Sequence, residues 1–251
     1  MKLLTPMASN TKTAKGDLTK YHGAILHGAP ASLSGYNACT SSTEGCRAAC
    51  LNTAGRGGMI KKGETTNVIQ QARIRKTRLL FENQVEFMAQ LIDDIGLLVQ
   101  QADRLGRIPV VRLNGTTDIK WEDIKIDGFL NVFEYWPNVQ FYDYTAHPFR
   151  MRLTEYYPNL HLTFSRKESN GRVASLVAKQ GHNVAVVFSE IPSEYLGVPV
   201  IDGDSNGDFR FLDPNGVIVG LKAKGKAKRD TSGFVVQVNE CVLSHEYEKV
   251  S

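Results

Sequence analysis

Cys39, Cys46 and Cys50 stand within twelve positions of one another, in the segment YNACTSSTEGCRAACLNTAGRGG. Four cysteines in 251 residues are too few for a disulfide scaffold. In a reducing compartment, crowding of this kind points to metal or redox chemistry. Thiolates are soft ligands that suit zinc or iron–sulfur clusters. The C-x6-C-x3-C spacing lacks the paired knuckles of zinc folds, so a cluster is expected ahead of zinc. Three thiolates also leave one coordination position open for water, substrate or a distant residue. A structural zinc completed by Cys241 or a histidine, and thiols with no ligand, are the alternatives.

Further polar groups stand where apolar runs end. In VVRLNGTTDIKWE, Asn114, Gly115, Thr116, Thr117 and Asp118 follow a strand-like run, and amides, hydroxyls and a carboxylate in a row suit a ligand pocket. The same residues also read as a turn with Asp118 as a helix N-cap. Asp143 closes FYDYT, Ser165 and Arg166 close HLTFSR, and Ser189 and Glu190 close VAVVFSE. If these strands are parallel, their ends share one rim, and recurrence in successive units points to a shared site. Lys222, Lys224, Lys226, Lys228 and Arg229 form a basic run interleaved with Gly and Ala, able to meet phosphates or to stand solvated. Asp202, Asp204 and Asp208 imitate a calcium loop only superficially, since the twelfth position is Asp213 and not Glu. Walker, nucleophile-elbow and His-Glu-x-x-His motifs do not occur.

The elements that must position these groups read as βα alternation. Candidate strands are Gly23 to His27, Ile108 to Leu113, Val139 to Tyr144, Leu160 to Phe164, Val184 to Phe188, Val198 to Ile201 and Val217 to Leu221, with Gly233 to Val242 as one more. Most are too apolar to be half-exposed, as buried parallel strands are. From Gln84 to Leu105, Met88, Leu91, Ile92, Ile95, Leu98, Val99, Ala102 and Leu105 recur at helical spacing, and Gly106 stops the helix. Asn67 to Phe81 reads as a second helix whose Arg73, Arg75, Lys76 and Arg78 are expected on a solvated face. The whole suits a single α/β domain over 1–251, a full or partial (βα) TIM-type barrel with a cysteine-rich loop at 36–58. An open doubly wound sheet competes, without a dinucleotide fingerprint.

Hydrophobic residues at 42% and charged residues at 22% are an ordinary globular balance. No apolar run approaches the ~18–20 residues that span a bilayer. The opening MKLLTPMASNTK has no apolar stretch of signal-peptide length, so a cytoplasmic protein is expected. Thirty Lys and Arg against 26 Asp and Glu leave +4, which permits nucleic-acid contact if the charges cluster. A small molecule is the other candidate substrate. The oligomeric state has no signature here.

The segments NTKTAKGD, SGYNACTSSTEGCRAACLNTAGRGG, QQARIRKTRLLFE, RLNGTTDI, YDYT and GLKAKGKAKRDTSGF together resemble the bacteriophage family called gene product 88-like. That resemblance spans nearly the entire chain and implies a phage or prophage origin. More remotely, the layout resembles radical S-adenosylmethionine (radical SAM) enzymes. There a three-cysteine loop after the first barrel strand holds a [4Fe-4S] cluster, and a Gly-rich motif after the second contacts the cofactor, S-adenosylmethionine. The resemblance puts Cys39, Cys46 and Cys50 in the first place and Asn114 to Asp118 in the second. A cofactor or substrate pocket is expected from Asn114, Gly115, Thr116, Thr117, Ser165, Arg166 and Glu190, with Lys222 and Lys224 able to neutralise a phosphate or carboxylate. A different class, phage enzymes that resemble tRNA-guanine transglycosylases, would exchange a DNA base for a deazaguanine with an Asp nucleophile, Asp143 or Asp118, and a zinc site. A non-catalytic, cluster-bearing binding protein is a third.

Overall fold

The computed structural model describes residues 1–10, 12–128, 130–205 and 207–237. Its strands are Leu4–Pro6 (β1), Tyr21–Leu26 (β2), Ile108–Arg112 (β3), Gln140–Thr145 (β4), Leu160–Ser165 (β5), Val184–Phe188 (β6), Glu194–Tyr195 (β7), Val198–Asp202 (β8) and Ile218–Lys222 (β9). Its helices are Ala31–Ser34 (α1), Glu44–Ala48 (α2), Val68–Glu82 (α3), Gln84–Arg104 (α4), Val132–Tyr135 (α5), Leu153–Tyr156 (α6) and Gly171–Lys179 (α7). All seven expected inner strands are present within two residues of their expected bounds. Of the eighth, residues 238–242, including Cys241, lie outside the described residues, and Val236 makes an isolated parallel bridge to Phe188.

The nine strands form a mixed sheet in the order β1-β2-β3-β4-β5-β6-β9-β8-β7. Pairing is parallel for β2 with β3, β3 with β4, β5 with β6, β6 with β9 and β8 with β9. It is antiparallel for β1 with β2 and β7 with β8. Parallel strands are buried on both faces, and that is why they read as unbroken apolar runs. Val110 and Val111 in β3 and Val184, Val186 and Phe188 in β6 are fully enclosed. Among the described residues no helix is long and apolar enough to cross a membrane.

The chain divides into two compact units, each assembled from separate segments. The first takes Met1–Thr40, Leu51–Asp143 and Arg152–His161, and the second takes Ser41–Cys50, Tyr144–Met151 and the chain from Leu162 onward. In the first, α4 packs on β1, β2, β3 and α3. Its stripe of Met88, Leu91, Ile95, Leu98 and Ala102 is buried, each large side chain contributing about 1.5–3 kcal/mol. Leu105 is 51% exposed because the helix ends at Arg104 and Gly106 turns away with φ +62.

The cationic face expected of α3 is only half solvated. Arg75 and Arg78 are exposed, whereas Lys76 is buried and donates to the Leu3 carbonyl at 2.6 Å. Arg73 donates through Nη1 to the backbone and side-chain oxygens of Asn52 at 3.2 and 3.0 Å. The difference arises because the N-terminal segment and the Asn52 turn lie along that side of the helix. Asp94 completes the clamp from α4, accepting the amides of Leu3 and Leu4 at 2.6 and 3.0 Å. Burial lowers the Lys76 pKa, and the Asp94 charge opposes that fall.

Lys76→Met keeps the apolar stem but orphans a buried carbonyl, so it should destabilise the chain by about 1–3 kcal/mol. Asp94→Ala should cost a similar amount, and the double variant less than the sum, because both act on Leu3. Urea denaturation checks this. Additive losses would show that the two ions act separately.

Candidate functional site

In the first unit polar groups stand just beyond the C-termini of β2 and β3, beside Asp143 in β4. Asn114 organises them. Its Oδ1 accepts from the Thr117 hydroxyl at 2.8 Å, the Ile119 amide at 2.9 Å and the Trp121 indole at 3.2 Å. Its Nδ2 donates to the Ile119 carbonyl at 3.0 Å and to Asp143 Oδ2 at 3.2 Å, while its amide donates to Asp143 Oδ1 at 2.8 Å. Asn114 and Asp143 are each 2% exposed. The Arg112 guanidinium lies 3.8 Å from Asp143 Oδ1 and supplies the counter-charge that a buried carboxylate requires.

The following residues dock on β2. The Gly115 amide donates to the Leu26 carbonyl at 2.9 Å, and a Cβ there would stand 2.5 Å from His27 Nδ1, so only glycine fits. Thr116 donates its hydroxyl to the Gly28 carbonyl at 2.6 Å. The amide of Asp118 donates to the Ala38 carbonyl at 2.9 Å, and the Cys39 thiol lies 3.9 Å from the Thr116 carbonyl. Asp118 caps no helix, since the next turn, Trp121–Asp123, has Lys120 at its N-cap. Much of the polarity expected to face a ligand therefore holds the loop in place. What it positions is Cys39.

His27, at the end of β2, was not singled out by sequence reasoning. The signal available was a lone imidazole before Gly28 at a strand end. Its Nδ1 is buried and has no hydrogen-bond partner among the described residues. Burial first, then the positive charges of Arg73, Arg112 and Lys76, push its pKa down to about 3.

In the second unit the cysteine segment is tied to the turn after β5. Thr43 caps α2. Glu168 accepts from the Thr43 hydroxyl at 2.6 Å and the Gly45 amide at 2.7 Å. Burial alone would raise the Glu168 pKa, but these bonds outweigh it and hold the carboxylate below its ordinary value. Gly45 has no room for a Cβ against Ser232 and Phe234. Lys167 donates to Cys46 Sγ at 3.0 Å. Lys167 and Glu168 were also missed, although they directly follow Ser165 and Arg166 in the polar run that ends β5.

The other expected residues of this unit are scattered in role. Ser165 accepts through its carbonyl from Asn170 Nδ2 at 3.1 Å. Arg166 donates through Nη1 to the carbonyls of Gly233 and Phe234. Glu190 is exposed at the end of β6. Lys222 is exposed at the end of β9, and Lys224 pairs with Asp204 at 2.9 Å. Parallel pairing places the ends of β5, β6, β8 and β9 on one side, as expected of a rim.

All three cysteines of the loop are half-buried. Among the described residues, no three His, Cys, Asp or Glu side chains are grouped so as to hold a metal ion. The donor chemistry suits a soft metal or cluster, with Cys46 on α2 and Cys39 and Cys50 on the irregular chain to either side of it.

A neutral folded His27 must take a proton on unfolding whenever the pH is below about 6.5. Stability should therefore be full above that value and fall progressively as pH drops toward about 3, with a slope of at most ~1.4 kcal/mol per pH unit. His27→Gln should flatten the part of the slope between pH 6 and 4. Chemical denaturation across that range measures it, and an unchanged slope in the variant would assign the acid sensitivity elsewhere.

No curated protein and no solved structure matches the chain. The sequence model of the family described as Gene product 88 matches residues 2–238, nearly the full length. The chain belongs to the Gene product 88 family.

Proposed function

We propose that this family member is an iron–sulfur protein whose loop at 36–58 holds a [4Fe-4S] cluster through Cys39, Cys46 and Cys50. The observation that carries the reading is the docking of Cys39 on the loop that follows the next strand, through the Asp118 amide and the Thr116 carbonyl. A radical SAM-like layout requires this neighbourhood. The exposure of the three side chains adds support, because a cysteine that merely packs is among the most buried of residue types, and these three are half-exposed.

When bound, the cluster supplies one-electron chemistry. The chain's own residues have other tasks. Asn114 and Asp143 fix the loop from Gly115 to Asp118, so Asp143 serves as a positioning residue. The Lys167 ammonium donates to Cys46 sulfur, and hydrogen bonds to ligand sulfurs tune a cluster. In its finer form the reading is an atypical radical SAM-like enzyme on a full or partial (βα) barrel, with S-adenosylmethionine meeting the loop from Asn114 to Asp118. Its phage origin belongs to the same reading.

Anaerobically purified protein should be brown and contain iron and sulfide. Cys39→Ala, Cys46→Ala and Cys50→Ala should each lose both. Lys167→Ala should retain the iron and shift the reduction potential. One equivalent of zinc in a colourless protein would replace the cluster with a zinc site, and metal-free protein would reject both. Adding S-adenosylmethionine to the reduced protein should alter its electron paramagnetic resonance spectrum. An unchanged spectrum with the cluster intact removes the radical SAM form.

A further inference from the structure

The stretch from Lys222 to Asp230 holds five cations and one carboxylate. It leaves the end of β9 and makes a 3-10 turn over Gly225–Arg229. Ala223 and Ala227 are 5% and 6% exposed and pack with Val235, Val187, Phe234 and Ala49. The Ala223 amide donates to the Phe188 carbonyl at 2.9 Å, prolonging the pairing with β6. At the far end Asp230 is committed to the fold, accepting from the Ser232 hydroxyl at 2.7 Å and the Val235 amide at 2.9 Å. The segment is thus anchored at intervals by small side chains, and every longer side chain between the anchors is turned outward.

Those outward side chains are all cationic. Lys222, Lys226, Lys228 and Arg229 are exposed and have no ion-pair partner among the described residues. Lys224 alone is paired, with Asp204. Like charges held close repel, and the fold tolerates that repulsion where a polyanion can relieve it. We propose that the segment Lys222–Arg229 is a docking surface for the sugar–phosphate backbone of a nucleic acid.

Three features select this partner. The cations alternate with small residues along the chain and do not converge on one point, so they suit a row of phosphates better than a single phosphate group. An anionic membrane would call for apolar side chains beside the cations, and the interleaved alanines are buried in the unit. The segment also lies at the C-terminal end of β9, the side on which parallel sheets place their ligands. The inference rests on this surface and is independent of the thiol loop.

Fluorescence anisotropy with labelled single-stranded and double-stranded oligonucleotides tests it. Affinity should fall with salt, with a logarithmic slope of about 0.7–0.9 for each phosphate contact. Combining Lys222→Ala, Lys226→Ala and Lys228→Ala should lower that slope by roughly two to three units. Lys224→Ala should change it less, since Asp204 already neutralises that charge. Replacing the same three lysines with Arg should preserve binding, and circular dichroism of each variant verifies the fold. Absence of binding at low ionic strength overturns the proposal, as does an unchanged slope in the triple variant. So does binding of anionic phospholipid vesicles or inorganic phosphate without binding of either oligonucleotide.

Discussion

A carboxylate taken out of water must be met by donors, and Asp143 is met by Asn114 from two sides, backbone amide and side-chain amide. That pair sets the path of the chain after β3. With its Nδ2 directed at Asp143, the Asn114 Oδ1 faces Thr117, Ile119 and Trp121 and closes the loop on itself. The closed loop then presents its outer edge to β2 and to Ala38 and Cys39. One buried ion thus determines where the first cysteine stands. Gly115 is the steric counterpart, since any side chain there would displace His27.

Electrostatics in the first unit is arranged around cations. Lys76 and Arg73 give their hydrogen bonds to backbone and amide oxygens, and Arg112 stands beside Asp143. Burial, reinforced by their combined field, keeps His27 neutral, so a group that would ordinarily titrate near physiological pH stays uncharged. The second unit solves a different problem. There Glu168 fastens the start of α2, Lys167 meets Cys46, and the excess positive charge is exported to the Lys222–Arg229 surface.

The strands and the two long helices were legible because their causes are local. A strand buried on both faces must be apolar throughout, and a helix with one buried side must repeat its apolar residues at three- and four-residue steps. The cysteine spacing was equally plain, as was the recurrence of polar residues at strand ends. Leu105 shows the limit of periodicity, since a chain that continues the pattern can leave the helix one residue earlier.

Residue types and their order along the chain determined the elements, the parallel character of the inner strands and the chemistry available to the loop. Only the tertiary structure decided which charges are buried. Lys76 and Arg75 are neighbours on α3 and look alike in sequence, yet one reaches a carbonyl 73 residues away and the other faces solvent. Half-buried Lys167, which donates to Cys46, and exposed Lys226 differ in a similar way. The reason is physical: a lysine carries an apolar stem and a polar head, compatible with water or with a buried acceptor, and the choice depends on which distant segment folds against it.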